Sequence, residues 1–412
     1  MTEAGAPAAP ATLQARRGAL VLLAAAALLG MTTWFSASAV IPQLRLDWAL
    51  TPTAAAWLTI SVQLGFVAGA LVSATLNVAD VFPARRVIAV SALGAAAVNS
   101  LVTVADGAGL GIVLRFLTGF FLAGVYPPGL KVMASWYRSG ERGTALGILV
   151  GALTLGSAMP HLVNGLGGLP WRTVVLATSG LTVVGGLVAV LLVRDGPYPF
   201  PRASFDPSQV RRAFANRATR LASLGYFGHM WELYAMWAWF LVFLSESLAS
   251  TGRPDPNAAA LATFAVIGSG ALGCWLGGIL GDRWGRSRTT ALAMAVSGTC
   301  ALSIGWLFGA PPALVLAVGL VWGISVVADS AQFSTAVTEV ADQSYVGTAL
   351  TLQLAVGFTL TVATIWLVPI VRDALSWGWA FAMLALGPAL GIVAMLRLLR
   401  SPEAARIAGG RG

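Results

Sequence analysis

His229 and Glu232 stand one helical turn apart in GYFGHMWELYAMW, residues 225–237, inside a run otherwise apolar enough to cross a bilayer. A carboxylate at the centre of a membrane costs about 2.5–3.5 kcal/mol on insertion scales, a penalty that protonation, a cationic partner or a water-filled cavity reduces. A group in that position suits proton transfer. Glu232 lies roughly 20 Å along its span by helical rise, near the midplane. At about 100° per residue His229 and Glu232 share a stripe with Gly225 and Met236, with Trp239 at its edge, so His229 can relay or share the proton. The competing reading is a hydrogen-bonded pair that holds the helix against a neighbour. Phe227, Trp231 and Tyr234 fall on the opposite stripe, which points to packing or lipid contact; Tyr226 and Trp239 are the aromatics that can flank the polar face.

A second acid, Asp329 in VADSAQFSTAVTE, shares a stripe with Ser325 and Gln332 and is either a further proton site or a gate that meets Lys131 or a loop arginine. Arg115 and Lys131 are the basic groups able to meet a small anion, with Thr33, Ser36, Tyr126, Trp239 and Gln332 as further substrate contacts. Arg115 is close to the end of its span, so snorkelling out of the membrane competes with a cavity role. His161 and His229 are the two histidines, far apart in sequence, and no H-E-x-x-H, nucleotide-binding or metal-ligand spacing occurs. Neither a metal nor a cofactor is expected, and no enzyme. Cys274 and Cys300 fall inside apolar spans as packing residues.

These groups need a scaffold made of membrane helices. Of 412 residues 57% are hydrophobic and 10% charged, and the mean hydropathy is +0.80. Apolar runs of the roughly 20 residues that cross a bilayer recur twelve times, at about 18–42, 53–76, 87–106, 109–135, 143–166, 171–193, 219–246, 257–280, 289–308, 312–338, 345–370 and 376–397. The arginines gather in alternate loops, which puts both ends of the chain in the cytoplasm of a cell with the protein in its inner membrane. The net charge of +9 is therefore a topology signal, not a nucleic-acid surface.

The polar stretch 194–218 divides the chain: a leader over 1–17, a six-helix bundle over 18–193, the linker with a short surface helix over 207–217, a second bundle over 219–397 and a tail over 398–412. The halves repeat. LNVADVFPARR, residues 76–86, aligns with GILGDRWGRSR, residues 278–288, pairing Asp80 with Asp282 and Arg86 with Arg288 at a displacement of 202 residues.

The second copy resembles the G-x-x-x-D-R-x-G-R loop motif of the major facilitator superfamily, and RFLTG, residues 115–119, is similar to its R-x-x-x-G element. The resemblance covers the whole chain. It implies an all-α integral membrane fold, two pseudo-symmetric six-helix bundles, with spans 1, 4, 7 and 10 lining a central path. It also implies a gating role for Asp80, Arg85 and Arg86 and, on the fuller copy, for Asp282, Arg283, Gly285, Arg286 and Arg288. An acid near the positive end of a neighbouring helix makes a latch that breaks when the halves rock. Polar residues concentrate in spans 1, 4, 7 and 10, with Gln63, His161, Asn164 and Gln353 as the main exceptions.

The expected function is secondary active transport by alternating access of a small organic or inorganic anion, coupled to protons, by a monomer whose partners are the solute, protons and the lipid bilayer. RFLTGFFLAGVYPPG and GILVGALTLGSAMPH look loosely like the nitrate and nitrite branch, whose arginines in spans 2 and 8 are missing here. Proton-driven export of a drug or hydrophobic compound is the runner-up. A receptor or sensor that moves nothing is the reading from another class.

Overall fold

The computed structural model describes residues 12–137, 142–198, 206–252, 254–342 and 344–412, without the side chains of Ala79, Asp80 and Arg142. Twelve helices are long and apolar enough to cross a membrane. They are α1 (Leu13–Gly30), α2 (Pro52–Thr75), α3 (Ala84–Val104), α4 (Ala108–Ser135), α5 (Gly143–Gly165), α6 (Trp171–Leu192), α7 (Arg217–Ser250), α8 (Pro256–Trp284), α9 (Arg286–Leu307), α10 (Pro312–Val340), α11 (Val346–Ala374) and α12 (Trp377–Leu399). Each expected span falls on one of them, but span 1, expected over 18–42, is continuous helix only to Gly30. Several outrun the bilayer core: α7 has 34 residues and α8, α10 and α11 have 29 each, whereas α1, of 18 residues, begins at Leu13 and so takes in Arg16 and Arg17.

Local chemistry sets the starts. Proline lacks the N–H that a first helical turn leaves unpaired anyway, and a small polar side chain can cap the turn. Thr51 before Pro52 and Asp255 before Pro256 do this for α2 and α8, which hold equivalent places in the two halves. Asn216 caps α7 through Thr219 N. The expected linker helix is present as Pro207–Gln209 and Val210–Ala215, and Asp206 N donates to Thr348 Oγ1 of α11 at 2.9 Å.

Packing repeats between the halves. α2 on α4, α3 on α6 and α1 on α6 correspond to α8 on α10, α9 on α12 and α7 on α12. The halves meet through α5 against α8 and α2 against α11, a pair of contacts that exchange under the same symmetry. At α5–α8 the backbones approach closely: a Cβ at Gly147 would lie 2.9 Å from the carbonyl oxygen of Cys274.

Three helices are interrupted. After α1 the backbone turns through Met31–Ala37, forms a 3-10 turn at Ser38–Val40 and resumes as a helix over Ile41–Asp47. α4 breaks after Leu122 and restarts at Tyr126, where Pro127 and Pro128 cannot donate to a continuous ladder. α10 breaks at Asp329. The freed backbone groups need partners within the protein, because lipid offers none.

On the side away from the linker each half is tied by the same device. Trp171 Nε1 donates to Asp47 Oδ2 at 2.6 Å, and Trp377 Nε1 donates to Glu246 Oε2 at 2.8 Å. Arg172 and Arg372 join those carboxylates at 3.8 and 2.8 Å. On the linker side the tail, expected as an extension of the chain, is docked. Its 3-10 segment Pro402–Gly409 buries Ile407, Ala408 N donates to Glu339 Oε2 at 3.0 Å and Ser287 N donates to the Gly412 oxygen at 3.1 Å.

Candidate functional site: a cavity between the halves

A cavity of approximately 300 Å³ lies between the two bundles, walled by α2, α4, α5, α7, α10 and α11 and by the break after α1. Its walls reach Asn77, Lys131 and Gly347, at or near the linker-side ends of α2, α4 and α11. The mouth is therefore on the linker side, between α2 and α11, while α5 and α8 stay packed.

Aromatic rings from both halves close the other end. Trp34 and Phe66 of the first half meet Tyr234 and Phe358 of the second: Trp34–Tyr234 centroids are 5.8 Å apart and Phe66–Phe358 centroids 4.6 Å. Phe35 adds an edge contact to Trp237 at 5.7 Å. Such pairs contribute about 0.5–1.5 kcal/mol each beyond the area they bury.

The cavity-facing stripe of α7 is Tyr226, Met230, Leu233, Tyr234 and Trp237. This corrects the assignment of Tyr234 to packing or lipid contact. The stripe with His229 and Glu232 faces the second bundle's own interior, where it finds donors. Glu232 Oε1 accepts from Trp322 Nε1 at 2.6 Å and Oε2 from Ser297 Oγ at 2.9 Å. His229 Nδ1 meets Asp329 Oδ1 at 2.9 Å. The two residues thus share a face but not a hydrogen bond; His229 stands instead against Asp329, whose Oδ1 is buried and has no hydrogen-bond partner of good geometry. Tyr226, Met230, Val327 and Ser330 around the pair line the cavity, as does Leu233 beside Glu232, so all three groups sit just behind the wall, with Glu232 held by α9 and α10.

Of the expected substrate contacts, Tyr126 and Lys131 line the cavity. Arg115 neither snorkels nor faces it. Its guanidinium is fully buried and donates to Thr33 O at 2.9 Å, Ser36 Oγ at 3.1 Å and Asn99 Oδ1 at 2.6 Å, as well as to Trp34 O. Arg115 thereby pairs the carbonyls exposed by the break after α1, and Thr33 and Ser36 belong to this internal network. Trp239 Nε1 donates to Ile365 O at 2.9 Å, against α11. Gln332 Oε1 accepts from Arg286 Nη1 at 2.8 Å.

That last bond belongs to the linker-side latch. Arg286 holds Glu339 through bonds of 2.8–3.1 Å and reaches Asp282 at 3.5 Å. The Asp282 carboxylate lies against the start of α5 in the other half: a Cβ at Gly143 would stand 2.5 Å from Oδ1. An acid there meets the positive end of the helix. Gly285 turns the chain at φ +97°, in the left-handed region, with Arg411 O where a side chain would be. Arg283 and Arg288 are exposed, as is Arg86; Arg85 is half-buried, and the side chain of Asp80 lies outside the described residues.

Sequence reasoning missed Glu339, although the motif's Arg286 requires an acid and Glu339 lies seven residues, two turns, beyond Gln332. It also missed Trp34, Phe66, Trp237 and Phe358 as cavity walls, since aromatic residues in an apolar span carry no period of their own. Gln353, noted as an exception, lines the cavity with its Nε2 buried and without a partner.

The sequence profile described as Major Facilitator Superfamily matches residues 22–364. Over 208 residues, 49% of this chain and 36% of the relative, the chain is 28% identical to a protein of Streptomyces coelicolor named probable actinorhodin transporter. It is 30% identical over 179 residues to the puromycin resistance protein pur8 of Streptomyces alboniger, covering 43% and 35% of the two chains. To the probable sulfoacetate transporter SauU of Cupriavidus necator it is 25% identical over 220 residues, covering 50% and 51%. The matches thus span between about a third and a half of each of these relatives. Among solved structures, a bacterial homolog of the human lysosomal transporter Spinster, in an inward-facing and unoccupied conformation, superposes with a TM-score of 0.69 at 16% identity, covering 95% of this chain and 100% of that one. The proton:xylose symporter XylE superposes with a TM-score of 0.69 at 12% identity, covering 93% and 95%.

Proposed function

This chain belongs to the major facilitator superfamily, a family of transporters and not of enzymes, and from that premise we propose that it is a secondary active transporter that moves a small organic solute by alternating access, driven by protons. The observation that carries the reading is a cavity between the halves with its mouth on one side only and a closure of facing aromatic rings on the other. Rocking of the halves would open the aromatic closure and close the mouth between α2 and α11.

The proton site is His229 with Asp329. The pair bridges α7 to the break in α10, one residue from the cavity wall, where a change of charge acts directly on a discontinuous helix. Glu232 positions α7 against α9 and α10. The protein works as a monomer in the cell membrane, with both ends of the chain in the cytoplasm.

Lys131 is the one charged residue among the described lining residues, which supports an anionic solute. The mostly apolar and aromatic walls favour the second reading, export of a hydrophobic compound, and two of the relatives are named a probable actinorhodin transporter and a puromycin resistance protein. Purified protein in liposomes decides whether anything is moved. Solute flux that follows an imposed pH gradient, and vanishes in empty vesicles, supports the reading; a protein that binds solutes and never moves them sinks it in favour of a receptor.

A further inference from the structure

We infer that the cavity takes a flat aromatic molecule that carries hydrogen-bond-accepting oxygens, gripped by rings from both halves; this deepens the transporter reading above and rests on it.

Three features of the wall converge. The first is shape: Trp34 and Phe66 from one bundle and Tyr234 and Phe358 from the other line the same space, with centroid separations of 4.6–5.8 Å among them. Their planes are tilted by 32–57°, so faces and edges are both offered, the arrangement that a planar π-system fits best.

The second is polarity. Trp34 Nε1, Trp237 Nε1 and Gln353 Nε2 are buried without a hydrogen-bond partner, on residues that line the cavity and are at most 2% exposed. Gln353 Oε1 already accepts from Ser334 Oγ at 3.4 Å, which leaves the amide nitrogen as the side chain's open valence. All three open groups are N–H donors. A buried donor left unpaired is costly, so a ligand that brings acceptors is favoured over the same ring without them.

The third is charge. Among the described lining residues there is one cation, Lys131 near the mouth, and no carboxylate. A cationic amine finds no counter-charge, and a compact inorganic anion fills little of approximately 300 Å³ and touches none of the rings. Carbonyl oxygens on an aromatic frame satisfy both the donors and the walls.

The test uses the purified full-length protein and three probes in equilibrium dialysis. Anthraquinone-2-sulfonate and anthracene-2-sulfonate share ring and charge and differ in two carbonyl oxygens; methanesulfonate carries the charge alone. The expected result is that the anthraquinone binds about tenfold tighter than the anthracene, roughly the effect of one satisfied buried donor, and that methanesulfonate does not compete. Gln353→Leu should reduce that preference by weakening the anthraquinone more than anthracene-2-sulfonate, which a general loss of fold would not do. Equal binding of the two ring compounds by the unaltered protein overturns the inference, and so does competition by methanesulfonate. Binding is read without a gradient. Carbonyl preference in a protein that moves nothing leaves the site and removes the transport reading; gradient-driven flux without that preference removes the site alone.

Discussion

His229 Nδ1 lies 2.9 Å from Asp329 Oδ1, with both side chains buried, at the residue where α10 is interrupted. Glu232, one turn further along α7, is instead satisfied by Trp322 and Ser297. Two acids in one bundle thus have different surroundings, and their substitution should separate them.

In liposomes with an imposed pH gradient, Asp329→Asn is expected to abolish gradient-driven flux while facilitated exchange of solute survives. Glu232→Gln can keep both hydrogen bonds and is expected to retain flux within about threefold, or roughly 0.7 kcal/mol. The reverse ranking would move proton transfer to Glu232.

Arg115→Met removes the donors that pair Thr33 O, Trp34 O and Asn99 Oδ1. Thr33 O and Asn99 Oδ1 keep Ser36 Oγ as a donor, whereas Trp34 O is left unpaired, and an orphaned buried acceptor costs about 1–3 kcal/mol. A lower thermal midpoint in detergent is expected, with the affinity of the remaining folded protein for solute unchanged. Should the midpoint hold while binding of anionic solutes is lost, Arg115 acts on substrate after all.

Glu339→Gln weakens the grip on Arg286 and replaces the acceptor for Ala408 N with a neutral one. Charge-assisted bonds are about twice as strong as neutral ones. Hydrogen exchange should therefore rise in residues 402–412 and in 282–288, with α1–α6 unaffected; protection that persists in the tail would show that Ile407 alone holds it.

Asp206, in the linker and outside the membrane, has its carboxyl held below the usual range by hydrogen bonds from Ser208. Its folded value is depressed, so the contribution is complete above the ordinary carboxylate value and fades as the pH falls through the lower, folded one. Protection of the Ser208 amide, its exchange rate relative to that of an unstructured amide at the same pH, should be equal at pH 7 and pH 5 and should fall only below about pH 4. A change between pH 7 and pH 5 would point to another group.

The twelve spans were legible because helices in lipid must bury their backbone and show an unbroken apolar run. The break in α4 could be read from Pro127 and Pro128, and the closeness of Asp282 and Arg286 from the loop motif. What could not be read was which protein surface a polar stripe faces. His229 and Glu232 would lie on one side of α7 whether that side met the cavity or α9 and α10, since both hide a carboxylate from lipid. Arg115 misled for a related reason: its partners are mostly backbone carbonyls freed by a break in another helix, and no side-chain pattern records them. Tyr234 reads as a packing residue because it lies opposite Glu232, yet it lines the cavity, while Trp231 of the same stripe donates to Met383 O of α12.

Different forces join the two halves at the two sides of the membrane. Beyond the cavity Trp34, Phe35 and Phe66 rest on Tyr234, Trp237 and Phe358, and this ring closure involves no ion pair; the carboxylate clasps there join each bundle to itself. On the linker side an acid faces a helix end across the seam, among arginines. Electrolyte screens the second and leaves the first almost untouched. Raising ionic strength should therefore change the rates of the two half-cycles unequally, so that this carrier's preferred resting direction becomes a function of the salt around it.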